Sequence, residues 1–178
     1  PELDFYYVDV DGADGIRQAV EYLVAQGHHR IAAIAWPKDS RVGNERMRGY
    51  FDAMGVAGLS IHPEWIQRGE GIYEFGQEAA QRLLDIAPSD RPTAVITLND
   101  TQAIGAMHTV QERDLQVGKD MAIIGFDDAP MSQYLLPPLT TIRQPIRLAG
   151  RKCVEMLVSL MEGGAPKDRH VLLKPKLV

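Results

Sequence analysis

Residues 30–36 read Arg-Ile-Ala-Ala-Ile-Ala-Trp, an almost unbroken apolar run of strand length. A strand with one wet face alternates apolar and polar residues. A run without alternation needs apolar neighbours on both faces, as in a parallel sheet covered by helices on each side. Residues 93–98 and 121–126 read the same way. The stretches between them change period. Residues 13–26 place Ile16, Ala19, Val20, Leu23 and Val24 on one helical face and stop at Gly27. Residues 43–54, 73–86, 100–113 and 146–161 also read as helices, with Gly49 marking a close helix–sheet contact. Residues 5–10, 63–67, 139–142 and 170–174 complete the expected strands. Strand–helix repetition in units of about 30 residues predicts an α/β fold with a parallel sheet and right-handed crossovers.

The balance of 19 Lys and Arg against 24 Asp and Glu gives a net charge of −5 over 178 residues. A nucleic-acid-binding surface needs a basic face, so these residues are not expected to touch DNA or RNA themselves. The apolar runs fall far short of the roughly 20 residues of a membrane helix. One cysteine, Cys153, excludes an internal disulfide and a cysteine-rich metal site, and on an apolar-rich helix it reads as a small buried residue. The chain opens on Pro1 with neither an initiator Met nor a basic-then-apolar leader, the expectation for a piece of a longer chain.

In open α/β sheets ligands bind beyond the carboxyl ends of the strands. The residues found there are Asp11 and Asp14, Arg46 after the loop that follows residues 30–36, Asn99 and Asp100, Asp127 and Asp128, and Arg143 and Gln144. Carboxylates accept hydrogen bonds from hydroxyls, while Arg and amides donate to hydroxyl oxygens, so the set suits a polyhydroxylated ligand. Each residue also has a plainer use. Asn99 and Asp100 can cap the next helix, Asp100 above all. Asp127-Asp128 can be a turn. Arg46, among Arg41, Glu45 and Arg48, can lie on a solvated helix face. Their shared placement is what favours a site.

Enzyme motifs are absent. There is no G-x-S-x-G elbow and no P-loop, and Gly69, Gly71 and Gly76 miss the dinucleotide spacing. His28-His29 falls at the amino end of the sheet, and His62, His108 and His170 lack metal-ligand spacing. The adjacent Asp127 and Asp128 make a poor acid/base pair. No catalytic residue, metal or cofactor is expected.

Five segments in order carry a family resemblance. They are Tyr22-Leu23-Val24-Ala25-Gln26-Gly27-His28-His29-Arg30-Ile31-Ala32, Arg46-Met47-Arg48-Gly49-Tyr50, Pro92-Thr93-Ala94-Val95-Ile96 with Asn99-Asp100 and Ala103-Gly105-Ala106, Ile124-Gly125-Phe126-Asp127-Asp128, and Pro137-Pro138-Leu139-Thr140-Thr141-Ile142-Arg143-Gln144-Pro145 with Gly150. The chain resembles the lactose/galactose repressor family along nearly its whole length. The resemblance implies a type I periplasmic-binding-protein-like fold and a transcription regulator that senses a sugar or nucleoside-like metabolite. The family's effector contacts fall on Asp14, Arg46, Asn99, Asp127 and Gln144. Arg46 would donate to ring or hydroxyl oxygens, Asn99 would donate and accept, Asp127 would accept from two hydroxyls, and Gln144 would lie near the crossover between lobes. Five residues before Gly76 the family often has an aromatic that stacks on the ligand. Here that position is Gly71, and Tyr73 is the candidate to replace it.

The resemblance also implies that a helix-turn-helix headpiece, a hinge helix and most of the first lobe lie upstream. On this mapping residues 1–29 end the first lobe and residues 30–144 form the second. Residues 145–164 return as a helix to the first lobe, and 165–178 form a final strand segment. Operator DNA would be reached only through the missing headpiece, in a cytoplasmic homodimer with no membrane contact. Ile16, Val20 and Leu23, or Leu157, Leu160 and Met161, would be exposed lobe-one faces. The alternative reading is the solute-binding protein of a sugar transporter, which shares the fold.

Overall fold

The computed structural model describes residues 5–178, so residues 1–4 of the expected first segment lie outside the described residues. The described residues form two sheets. A two-stranded parallel sheet pairs β1 (Tyr7–Val10) with β7 (His170–Leu173). A six-stranded sheet has the order β3-β2-β4-β5-β6-β8, with β2 (Ile31–Ala35), β3 (Ile66–Arg68), β4 (Ala94–Thr97), β5 (Ala122–Asp127), β6 (Thr140–Arg143) and β8 (Lys176–Leu177). All its pairings are parallel except that of β6 with β8.

Every residue of β2 and β4 is buried, as the unalternating apolar runs require. Helices α1 (Gly12–Ala25) and α2 (Arg41–Val56) cover one face, where Ile16, Leu23, Tyr50 and Met54 meet Ile31, Ile96 and Phe126. Helices α3 (Tyr73–Leu84) and α4 (Asp100–Glu112) cover the other, where Ala79, Leu83 and Met107 meet Ile34, Val95 and Ile123. Helix α5 (Ile146–Met161) lies beside β1. The chain passes between the sheets after β1, between β6 and α5, and between β7 and β8.

The structure corrects several expectations. Helix α1 does not belong with the small sheet. Ile16, Val20 and Leu23 are buried in the core of the large one, so they form no exposed face. Leu157, Leu160 and Met161 are exposed as expected, because α5 buries none of its residues. Cys153 is exposed for the same reason and is not a small core residue. Residues 63–67 are not one strand. Pro63–Trp65 is a 3₁₀ turn that places Trp65 in the core, and only then does β3 begin. Strand β8 was not anticipated, since its two residues after Pro175 are too few to show a period. Among the described residues no helix is long and apolar enough to cross a membrane.

Gly49 makes a close contact, but with a helix rather than with the sheet. A Cβ there would lie 2.1 Å from the Ala13 carbonyl oxygen. Helices α1 and α2 touch backbone to backbone at this point. Gly49→Ala is expected to push them apart and lower stability by about 1–3 kcal/mol, read as a lower midpoint in urea at unchanged slope.

Candidate functional site

The parallel register brings Ala35, Thr97, Asp127 and Arg143 to one edge of the large sheet. The side chains expected to form a site depend on this edge. Arg46, in the second turn of α2, reaches across it. Gly12 makes this possible, because a Cβ at that position would lie 2.9 Å from Arg46 Cγ. The guanidinium is not on a solvated face. Arg46 is 6% exposed, its Nη1 donates to the Leu98 carbonyl, and its carbon lies 3.7 Å from the Phe126 ring centre and 4.9 Å from that of Trp36. Its Nη2 stands 3.8 Å from Asp127 Oδ1. Burial pulls the Arg46 pKa down, and the charges of Asp127, Asp9 and Glu45 oppose that shift.

Asp127 ends β5 with φ of 122° and Asp128 follows with φ of 59°. The first value is a strained conformation for a residue with a side chain. The loop is held by Asp100. Its Oδ2 accepts from Ala129 N at 2.7 Å and Ser132 Oγ at 2.6 Å, and its Oδ1 accepts from Thr141 Oγ1 at 2.5 Å. Gln144 Nε2 donates to Asp127 Oδ1 at 2.6 Å. Burial raises the Asp127 carboxyl, with a further push from Asp100, and Arg46 and Gln144 only partly counter it. Oδ2 of Asp127 accepts no hydrogen bond among the described residues.

Asn99, not Asp100, caps α4: its Oδ1 accepts from Gln102 N at 2.8 Å. Asp100 is 2% exposed and is given over to the loop contacts just described. The Asn99 Nδ2 donates to Gly71 O at 2.8 Å, which leaves one N–H and one lone pair for a ligand. Arg46, Asn99, Asp127 and Gln144 are thus gathered at one edge.

The other two candidates have partners of their own. The Asp14 carboxylate is taken by Arg17 at 2.5 Å and Gln18 at 2.9 Å, with Lys174 at 3.5 Å. Burial alone would raise its pKa, but these partners outweigh it and hold the carboxyl low. Tyr73 donates to, or accepts from, His108 Nδ1 at 2.5 Å at the α3–α4 seam. Sequence reasoning missed Trp36 and Phe126, the rings that hold Arg46. Both end apolar runs, where an aromatic looks like ordinary strand. Among the described residues no cluster of His, Cys, Asp or Glu could hold a metal.

Residues 20–178 match the family model of the periplasmic binding protein-like domain. The chain belongs to that family. Its homologues are LacI-family regulators, as the resemblance implied. This periplasmic binding protein-like domain is 39% identical over 163 residues to the HTH-type transcriptional repressor CytR of Escherichia coli, covering 92% of this chain and 47% of that protein. A regulatory protein of LacI family from Chloroflexus aggregans superposes with TM-score 0.97 at 58% identity, over 99% of this chain and 63% of that one. A complex of the transcriptional regulator CelR with cellobiose superposes with TM-score 0.91 at 34% identity, over 100% of this chain and 54% of that one. The chain spans about half the length of the curated relatives it matches.

Proposed function

We propose that this chain is the effector-sensing part of a DNA-binding repressor, which binds a sugar or nucleoside-like metabolite and controls operator binding by a headpiece outside these residues. The observation that carries the reading is the convergence of Arg46, Asn99, Asp127 and Gln144 on one sheet edge. Arg46 and the free N–H of Asn99 donate to ring or hydroxyl oxygens, and Asp127 Oδ2 accepts from hydroxyls. The Asp14 carboxylate is occupied by Arg17 and Lys174 and would have to exchange a partner to meet a ligand.

The ligand would be gripped between this edge and the first lobe. It would favour one relative lobe position in a homodimer, and so one spacing of the headpieces. Such coupling between sites is typically about 1–3 kcal/mol. The named relatives are regulators, which supports this reading over that of a transporter's solute-binding protein or an enzyme. Binding to operator DNA places the protein in the cytoplasm.

The test is a calorimetric titration of the full-length protein with a panel of sugars and nucleosides. For the ligand that binds, Asp127→Ala is expected to weaken affinity at least about tenfold, the loss of one charged hydrogen bond, without unfolding the protein. Unchanged affinity removes Asp127 from the site.

A further inference from the structure

The chain has two tryptophans, and they differ in one respect. Trp65 Nε1 donates to Asp90 O at 3.1 Å. Trp36 Nε1 is just as hidden from water and has no acceptor. A buried indole N–H nearly always finds a partner, and an orphan calls for an explanation. Trp36 follows β2 at the edge where Arg46, Asn99 and Asp127 meet, and its ring faces the Arg46 guanidinium. Arg46 Nε, in the same stack, is also buried without an acceptor.

Gly71, in the strap of residues 69–72, packs against the Trp36 N–H. A Cβ on Gly71 would lie 2.9 Å from both Trp36 Nε1 and Asn99 Nδ2, so only glycine lets the strap sit this close to the two donors. The strap is held by neutral hydrogen bonds: Gln102 Nε2 to Glu70 O at 3.0 Å and Asn99 Nδ2 to Gly71 O at 2.8 Å. Gln102 keeps an unpartnered buried Oε1 as well. Gly71 thus satisfies Asn99 and blocks Trp36 without satisfying it.

We infer that Trp36 is a ligand-contacting, specificity-determining residue of this site. Its indole N–H donates to an oxygen of the effector, a ring oxygen or hydroxyl, that displaces the strap at Gly71. The effector class is then a polyol with an oxygen-rich edge toward Trp36 and Asn99 and a free hydroxyl toward Asp127. This rests on the effector-site reading above.

The test uses the full-length protein and the same panel of sugars and nucleosides. Trp36→Phe keeps a ring beneath Arg46 and deletes the N–H. It is expected to weaken the effector about tenfold while leaving the melting temperature unchanged or raised, since an unpaired buried donor disappears. Affinity equal to wild type, with or without a lower melting temperature, assigns Trp36 to packing alone and overturns the inference. In wild type, the Trp36 indole proton, assigned by its loss in the variant, is expected to shift in the NMR spectrum at effector saturation. A resonance that does not move overturns the inference without relying on the variant. A wild type that binds none of the panel overturns the effector-site reading and this inference with it.

Discussion

Arg46→Ala is expected to abolish measurable effector binding and to destabilise the domain by roughly 3 kcal/mol. The two effects have separate causes. The guanidinium stacks on Phe126 and Trp36 and satisfies the Leu98 carbonyl. Its removal leaves a gap between two rings, an unpaired buried carbonyl, and Asp127 without its countercharge. A cation over an aromatic face contributes about 0.5–2 kcal/mol, and a hydrogen bond from a charged donor about 1.5–3 kcal/mol. The burial that depresses the Arg46 pKa works the other way, because the variant no longer desolvates a charge. Asp127 is partly exposed, so its loss of a partner is softened by water. Arg46→Lys is expected to recover part of the stability and little of the binding, because an ammonium cannot stack and fork as guanidinium does. Urea titration and calorimetry on both variants measure the split. An alanine variant as stable as wild type would show that relief of the buried charge fully offsets the lost stack and hydrogen bond.

Asp100→Ala is expected to cost more stability still, roughly 3–5 kcal/mol, though this side chain is not assigned to touch a ligand. At 2% exposure it accepts from Ala129 N, Ser132 Oγ and Thr141 Oγ1. Deleting it strands three donors where water has little access. Space for it depends on Gly125, where a Cβ would lie 2.2 Å from Asp100 Oδ1. Asp100→Asn is expected to lie between, since an amide loses one accepting oxygen. The loop after β5 should loosen with it, so effector affinity falls through Asp127 rather than through a lost contact. Hydrogen exchange at the Ala129 amide reads this directly. Protection equal to wild type in Asp100→Ala would show that the carboxylate does not hold the loop.

The sequence carries local information well and long-range information poorly, and this pair of residues shows where the line falls. Apolar runs and helical period specified β2, β4 and α4 closely, because those patterns are set by which face of each element is covered. The strand-end rule pointed to Arg46, Asn99, Asp127 and Gln144, which meet at one edge of the large sheet. It did not find what each does. Asn99 and Asp100 are adjacent and both are good caps, so choosing between them needed the hydroxyls of Ser132 and Thr141, far along the chain. Arg46 has charged neighbours on its own helix and reads as solvated. Its burial is decided by Gly12 on α1 and by rings at the ends of β2 and β5. Helix α1 was placed with the wrong sheet because its apolar stripe says that it packs, not against what. Tyr73 lies near Gly71 in sequence, and nothing local shows that His108, two helical turns into α4, bonds its hydroxyl.

Among the described residues three short stretches join the two sheets, and that number has a mechanical consequence. A single linker would be a tether, leaving the small sheet free to swing in any direction. Several stretches side by side act as a pivot, restricting motion to torsion within a few residues. One stretch is clasped by Lys174, whose Nζ lies 2.8 Å from Asp11 Oδ2, and by Gln18, whose Nε2 donates to Pro175 O at 3.1 Å. Another begins at Gln144, whose amide is bound to Asp127. Asp127 is thus tied through Gln144 to one of the stretches about which the small sheet and α5 would turn.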